Sequence, residues 1–295
     1  MSASVTSGLD GTPASRAAAE WAASEASNRK VPLHLVRVED EDSMSLDLHE
    51  AMRWSHAITE EAAQDLARRF PELSTAGRVV AGSPSDVLCD ISRKTDLLVL
   101  GSRGLSSLAG FVVGSTALAT VAHATCPVVL IRAPAGEAEG EDSTTGGPSP
   151  VPARPVVVGL DLGRPCDELL EFAFEAAGRH AVPLRVFHAW QLPPVFGAAP
   201  TYPVGMETTD ELQYQTNMEL TDALRPWHDK FPEVPLSHRA VLCRPSDLLI
   251  DAASEASLLV VGRRIRHARA GTHLGHVAHA AIHHVRTPLA VVAHR

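Results

Sequence analysis

The sequence predicts two tandem α/β domains, each a doubly wound, Rossmann-like fold in which helices cover both faces of a five-stranded parallel sheet. Two observations carry this prediction. The same order of short apolar runs and helical segments occurs twice along the 295 residues, and Val/Leu/Ile-rich runs of strand length alternate with helical segments in each copy. Such apolar strands are buried on both faces, because parallel strands need crossover helices to connect them.

The first strand and helix of each copy follow one plan. In the first half a short strand ends at Gly8-Leu9-Asp10, and Thr12-Pro13 supplies an N-cap and a favoured first-turn residue for a helix. The second half opens in the same way with residues 156–161. Apolar residues then recur at helical spacing: Ala14, Ala18, Trp21 and Ala22 in one copy, and Leu169, Leu170, Ala173, Ala176 and Ala177 in the other.

The remaining elements also come in matched pairs. Pro-Ser turns at Pro84 and Pro245 each begin a further helix. The segments with strand character are 32–38, 78–81, 96–104 and 127–131 in the first half, and 183–190, 238–242, 257–265 and 288–293 in the second. In doubly wound sheets ligands bind at the carboxyl ends of the strands, where the strand order reverses, so we expect the site in the loops after the first and fourth strands.

A compositional break separates the two copies. The chain between them is rich in Gly, Pro, Ser and Glu and lacks periodic apolar positions, so it cannot offset the entropy cost of becoming ordered. We therefore expect a first domain at 1–133, a flexible linker at 134–153 and a second domain at 154–295.

The net charge limits the classes of binding partner, and the cysteine content indicates the cellular compartment. A net charge of −9 gives no general attraction to phosphate backbones or anionic lipid, so we expect neither a nucleic-acid nor a membrane partner. The four cysteines form no C-x-x-C pair, which argues against a structural zinc site and a disulfide framework and favours a reducing cytosol. No signal peptide and no membrane-length apolar run is found, so we expect a cytoplasmic protein.

A glycine pattern follows the fourth strand of the first half. Gly101-Ser102-Arg103-Gly104 is separated by nine residues from Gly114-Ser115-Thr116, which opens the closing helix, giving G-x2-G-x9-G-S-T. The first two glycines would let the backbone pass close to a ligand, and the glycine at 114 would let helix N–H groups face an anion. The two hydroxyls add donors at the positive end of the helix dipole. The pattern favours a triphosphate ligand.

Asp10, at the end of the first strand, has the position at which acidic residues of nucleotide-binding folds accept hydrogen bonds from two ribose hydroxyls. The structural alternative is that Gly101 and Gly104 merely end a strand, Gly114 merely begins a helix, and Asp10 caps the helix that starts at Thr12-Pro13.

The first half resembles the universal stress protein family along nearly its whole length. The resemblance rests on the VTSGLDGTPAS opening, PLHLVRV, AGSPSDVL, and the run from LLVLGSRG through GSTA to CPVVLIR, with the glycine pattern matching the family's ATP-binding signature. It implies an adenine nucleotide, ATP with or without Mg²⁺. The implied contacts are Asp10 with the ribose, Val38 and Leu100 with the base, and Gly101, Arg103, Gly104, Gly114, Ser115 and Thr116 in the phosphate-binding segments.

The resemblance also implies how the two halves assemble and what they serve. The final strands 128–131 and 290–292 would be exposed apolar edges if each domain stood alone, and the family pairs them across a two-fold axis. One chain then forms an intramolecular pseudo-dimer, and a homodimer of two chains stays open. The implied biological role is a regulatory one in stress or dormancy.

The second half departs from the signature. Gly262 and Gly275 keep their places, but Ile265 stands at the second glycine and His276 at the serine, where their side chains would occupy the phosphate space. We therefore expect this copy, which retains Asp161, to bind nucleotide weakly or not at all.

Two other classes of function stay open. An ATP-pyrophosphatase-type or slowly ATP-hydrolysing enzyme would need a denser glycine-serine loop or a general base, and we assign no catalytic residue. A ligand-free interaction scaffold would leave the first glycine signature unused. His276, His279 and His283 share one face of the last helix, but no acidic or Cys ligand is close in sequence, so we assign no metal site.

Overall fold

The computed structural model describes residues 3–40, 48–102, 113–133, 154–164, 166–191, 209–265 and 274–294. The predicted linker at 134–153 lies outside these ranges. The first half contains, in chain order, β1 (Val5–Leu9), α1 (Pro13–Arg29), β2 (Leu33–Glu39), α2 (Leu48–Arg69), β3 (Thr75–Ala81), α3 (Pro84–Ser92), β4 (Leu97–Ser102), α4 (Ser115–His123) and β5 (Val128–Arg132).

The second half repeats this order element by element. It contains β6 (Val156–Gly159), α5 (Asp167–His180), β7 (Leu184–Trp190), α6 (Thr209–Lys230), β8 (Leu236–Leu242), α7 (Pro245–Ala253), β9 (Leu258–Arg264), α8 (His276–His284) and β10 (Leu289–His294). The predicted repeat is confirmed. Strands β3 and β8 begin earlier than predicted. Gly77 in β3 and the polar residues at the start of β8 interrupt the apolar pattern, but both segments still pair with the neighbouring strand.

The first helix of each half begins and ends through local hydrogen bonds. In α1 the Thr12 side chain accepts from the Ser15 N–H at 3.2 Å, and Pro13 occupies the first turn, as predicted. The helix ends where Lys30 adopts a left-handed conformation with φ 56° and donates its N–H to the last carbonyls. Helix α5 ends in the same way at Ala181, with φ 50°.

All ten strands form one sheet with the order β3-β2-β1-β4-β5-β10-β9-β6-β7-β8. Within each half every pair of neighbouring strands is parallel, with the order reversing between β1 and β4 and between β6 and β9. Apolar layers cover both faces. The predicted fold, two tandem doubly wound domains, is confirmed, and the two reversal points mark the places where such sheets bind ligands.

The two halves join edge to edge through their last strands. Strands β5 and β10 are antiparallel, with Val128, Val129 and Leu130 opposite Val291, Ala290 and Leu289. All six of these residues are buried. The join therefore removes two apolar edges that would otherwise be exposed, and one chain forms the pseudo-dimer that the family resemblance implies.

Two arginines, Arg263 buried and Arg132 half-buried, reinforce the join reciprocally. Arg132, from the first half, donates to the carbonyl oxygens of Ile282 and Val285 at 2.6 and 2.5 Å, at the end of α8. Arg263, from the second half, donates to the carbonyl oxygens of Ala122 and Ala124 at the end of α4. Each closing helix thus has its terminal carbonyls, which have no partner within the helix, bound by a guanidinium of the other half.

Replacing Arg263 with alanine is expected to destabilise the protein by about 2 kcal/mol, because the α4 carbonyls lose charge-assisted hydrogen bonds and stay buried. Urea unfolding followed by circular dichroism measures the change. Arg93→Ala is the control: Arg93 pairs with Asp90 on the surface, where both side chains are more than half exposed, and its loss should cost less than about 0.5 kcal/mol. Equal shifts for the two variants would contradict the reciprocal capping.

Candidate functional site

The reversal between β1 and β4 brings several predicted site residues to one edge of the sheet. Leu9, the last residue of β1, lies opposite Arg37 of β2, so the next step of the register places Asp10 beside Val38. On the other side of β1, Ser7 pairs with Val99, which carries Leu100 and Gly101 to the same edge. Asp10, Val38, Leu100 and Gly101 therefore lie at the same edge of the sheet.

An apolar layer on the α3/α4 side of the sheet forms the floor of this region. Leu100 is buried in that layer, and half-buried Val38 packs against it. Gly8 leaves room for Leu100, because a Cβ at Gly8 would lie 2.8 Å from the Leu100 Cδ2 atom. Val38 and Leu100 thus lie on the same face of the sheet, where one flat apolar group can contact both.

The start of α4 lies on the same side of the sheet as Leu100. Gly114 is the N-cap, and no side chain in the described part of the chain caps the helix. A Cβ at Gly114 would meet nothing within 4 Å. Ser115 is exposed, and Thr116 is half-buried. Among the described residues, no side chain binds the first-turn N–H groups of α4, and helix N-termini without such a cap can bind anions.

Asp10 has a local structural role as well as its position at the site. Its Oδ1 accepts hydrogen bonds from the Thr12 N–H at 2.9 Å and from the Thr12 hydroxyl at 2.6 Å. Thr12, and not Asp10, is the N-cap of α1. Asp10 therefore supports the start of α1, as the structural alternative expected, but it does so by binding Thr12 and not as the N-cap itself. These hydrogen bonds hold the exposed carboxylate of Asp10 at the end of β1.

Gly101 has a packing role that the sequence did not reveal. A Cβ at this position would lie 2.6 Å from both the Ala14 carbonyl carbon and the Ser15 nitrogen, so the residue is a glycine because the backbone of α1 passes directly over it. Its contact with phosphate stays a prediction. Arg103 and Gly104, the other predicted residues of this loop, lie outside the described residues.

The corresponding region of the second half contains a cavity of about 500 Å³. Its lining includes the counterparts of eight of the nine predicted site residues, namely Asp161, Ala189, Val261, Gly262, Arg264, Gly275, His276 and Val277. Ile265 is not among the described residues that line this cavity, whereas His276 is. The expectation that both side chains occupy the phosphate space stays a prediction.

Histidines and cysteines add no reactive centre in the described part of the chain. The rings of His279 and His283 lie 4.5 Å apart on α8, but no three potential metal ligands converge among the described residues. All four cysteines are free thiols. Burial, the largest influence, raises the pKa of Cys126 to about 12 and that of Cys166 to about 11, so neither forms a thiolate at neutral pH.

These features are those of a tandem α/β protein in which two doubly wound halves form one sheet. The second half has a cavity of small-molecule size where its strand order reverses. The universal stress protein family model matches residues 1–132 and 152–293. Universal stress protein Rv2005c of Mycobacterium tuberculosis is 31% identical over 97% of this chain and 96% of its own length. Universal stress protein Rv2623 of the same organism is 30% identical over 96% and 94%. The chain belongs to the universal stress protein family.

Solved structures show the same architecture. A universal stress protein from Archaeoglobus fulgidus superposes with a TM-score of 0.70 over 98% of both chains, at 15% identity. A putative universal stress protein from Pseudomonas aeruginosa gives a TM-score of 0.58 over 99% of this chain and 94% of its own, at 16% identity. These likenesses confirm the tandem fold. Among the described helices, none combines the length and the apolarity that a bilayer crossing requires.

Proposed function

We propose that this universal stress protein binds ATP through its first half and acts as a cytoplasmic regulatory protein in the stress response, without a dedicated catalytic residue. The observation that carries the proposal is the N-terminus of α4, which no described side chain caps and where a Cβ at Gly114 would meet nothing within 4 Å, on the same side of the sheet as Leu100. Free first-turn N–H groups and the positive end of the helix dipole stabilise phosphate charge.

The neighbouring residues support an adenine nucleoside at the other end of the cleft. Val38 and Leu100 offer an apolar surface to a flat base, and the carboxylate of Asp10 is an acceptor for ribose hydroxyls. The Thr12 hydrogen bonds hold that carboxylate in place before ligand binds, which lowers the entropy cost of binding. A Mg²⁺ ion would enter with the phosphates. Four free thiols agree with the proposed reducing compartment.

Replacing Asp10 with asparagine is expected to weaken ATP binding by tenfold to a hundredfold, because a hydrogen bond to a charged acceptor contributes about 1.5 to 3 kcal/mol. Isothermal titration with Mg-ATP measures the affinity. Asp161→Asn is the matched control, since Asp161 ends the corresponding strand and its Oδ1 also accepts a backbone N–H two residues later, from Gly163 at 3.1 Å. That variant should bind ATP like the unmodified protein.

Two results of this titration would overturn the proposal. One is an Asp10→Asn variant with unchanged ATP affinity, and the other is an unmodified protein that takes up no ATP at millimolar concentration. If Asp161→Asn lost more ATP affinity than Asp10→Asn, the nucleotide would bind in the second half, which would also contradict the proposal.

A further inference from the structure

The cavity of the second half differs chemically from its counterpart. Phe187, Leu248, Leu249, Val261 and Leu274 give it a continuous apolar wall. Ala189 stands where the first half has Val38, and the shorter side chain widens the space next to the wall. At about 500 Å³ the cavity is in the size range of small-molecule sites.

Charged groups also line the cavity, namely Asp161, Arg164 and Arg264. One residue separates Asp10 from the N-cap of α1, whereas four residues separate Asp161 from Cys166, the N-cap of α5. The longer loop places Arg164 in the lining together with Arg264 at the end of β9. Within the described part of the chain, neither guanidinium forms an ion pair.

The end of α8 that faces the cavity is also available to an anion. Gly275 is the N-cap, a Cβ there would meet nothing within 4 Å, and no described side chain caps the helix. Yet hydroxyl donors that would suit a long polyphosphate are not found among the described lining residues: His276 and Val277 replace the two hydroxyl residues of the first half, and no described lining residue is Ser, Thr, Asn or Gln. The polar part of this lining can hold one anionic group, and the apolar part can hold an apolar body.

We propose that this second cavity binds a small amphipathic anion, a molecule with a compact apolar body and a single carboxylate, sulfonate or phosphate. The apolar body packs against the wall formed by Phe187, Leu249 and Val261, and the anionic group lies between Arg264, Arg164 and the first turn of α8. The two halves then carry different ligands on one fold, and this second site does not depend on ATP binding by the first.

Anilinonaphthalene sulfonate is a suitable probe, because it has an aromatic body and one sulfonate. Fluorescence titration of the full chain is expected to show one saturable site. Octanoate should displace the probe. Octanol and inorganic phosphate at the same concentration should not, because octanol lacks the anionic group and phosphate lacks the apolar body. Displacement by Mg-ATP at concentrations as low as those of octanoate would overturn the proposal, because the site would then prefer a polyphosphate.

Ala189→Trp fills the cavity and should weaken probe binding more than tenfold. Val38→Trp is the matched control, because it makes the same change at the corresponding position of the first half and should leave probe binding intact. Arg264→Gln is a second variant, for use if Ala189→Trp prevents folding. Arg264 is half-exposed, and its replacement is expected to weaken probe binding about tenfold. Probe binding that is unchanged in both Ala189→Trp and Arg264→Gln would overturn the assignment.

Discussion

A Gly101→Ala variant is expected to lose about 3 kcal/mol of stability, although the substitution adds only one methyl group. The added Cβ would lie 2.6 Å from the Ala14 carbonyl carbon and from the Ser15 nitrogen. Both are backbone atoms in the first turn of α1, and neither can move without displacing the helix from the sheet. Closely packed interiors do not absorb such an overlap by local adjustment.

Gly114→Ala is the control for this prediction. Gly114 belongs to the same glycine signature, but its Cβ would meet nothing within 4 Å and its φ of −59° suits any residue. Its stability should change by less than about 0.5 kcal/mol. Urea unfolding of the two variants side by side gives the comparison. A Gly101→Ala variant as stable as Gly114→Ala would show that the packing against α1 is not as tight as described.

A Glu25→Ala variant is expected to lose about 3 kcal/mol at neutral pH, through a different cause. Glu25 lies on α1 with a side chain only 2% exposed. Its carboxylate pairs with Arg29 of the same helix at 2.6 Å, and with His180 and Arg179 of α5 at 2.8 and 3.4 Å. Truncation would leave these cationic and polar groups buried across the join between the halves, without their shared acceptor.

The same cluster predicts how stability depends on pH. Burial alone would raise the pKa of Glu25, but the hydrogen bond with His180 and the charge and hydrogen bond of Arg29, with the charge of Arg179, outweigh it and lower the pKa from 4.5 to about 2. A lowered pKa stabilises the folded state above the unfolded value and loses that effect as the group is protonated. The contribution of Glu25 is therefore full above pH 4.5 and disappears between about pH 4.5 and about pH 2.

Chemical unfolding at pH 7 and at pH 3 tests both statements. The difference in stability between the unmodified protein and Glu25→Ala should be largest at pH 7 and should shrink at pH 3. Glu20→Ala is the control on the same helix, because Glu20 pairs with Arg69 at the surface with both side chains about half exposed. A Glu25→Ala penalty that is the same at both pH values would rule out the carboxylate as its source.

The order and type of the elements other than α2 and α6 could be predicted from the sequence, because each of them recurs in both copies and each copy supports the other. The first residues of β3 and β8 could not be predicted. Both are edge strands, and their starts contain polar residues or Gly77 in place of an apolar run, although these residues pair with the adjacent strand. The glycine signature places the proposed site at the edge of the sheet where the strand order reverses. It could not distinguish Gly101, where a Cβ would overlap the backbone of α1, from Gly114, where a Cβ would meet nothing within 4 Å.

The contacts between helices of the two halves, unlike the pairing of their last strands, were beyond the sequence. Glu25 lies in an Ala-rich helix where a charged residue is typical of a solvated face, but α1 packs on α5 and Glu25 pairs with His180 and Arg179 of that helix. A broad face of small residues on α1 was the available signal, because eight of its residues are buried, more than a single sheet contact requires. The cavity of the second half was not predicted either, because residue identity does not show that His276 lines an open space while Ile265 does not.

A crystal structure of the full chain grown with excess Mg-ATP tests the central claim most directly. The proposal predicts a nucleotide in the first half, with its phosphates at the first turn of α4, its ribose at Asp10 and its base on Val38 and Leu100. It predicts no triphosphate in the cavity of the second half. A triphosphate bound there instead, or a first half whose cleft stays without nucleotide at saturating ATP, would contradict the account.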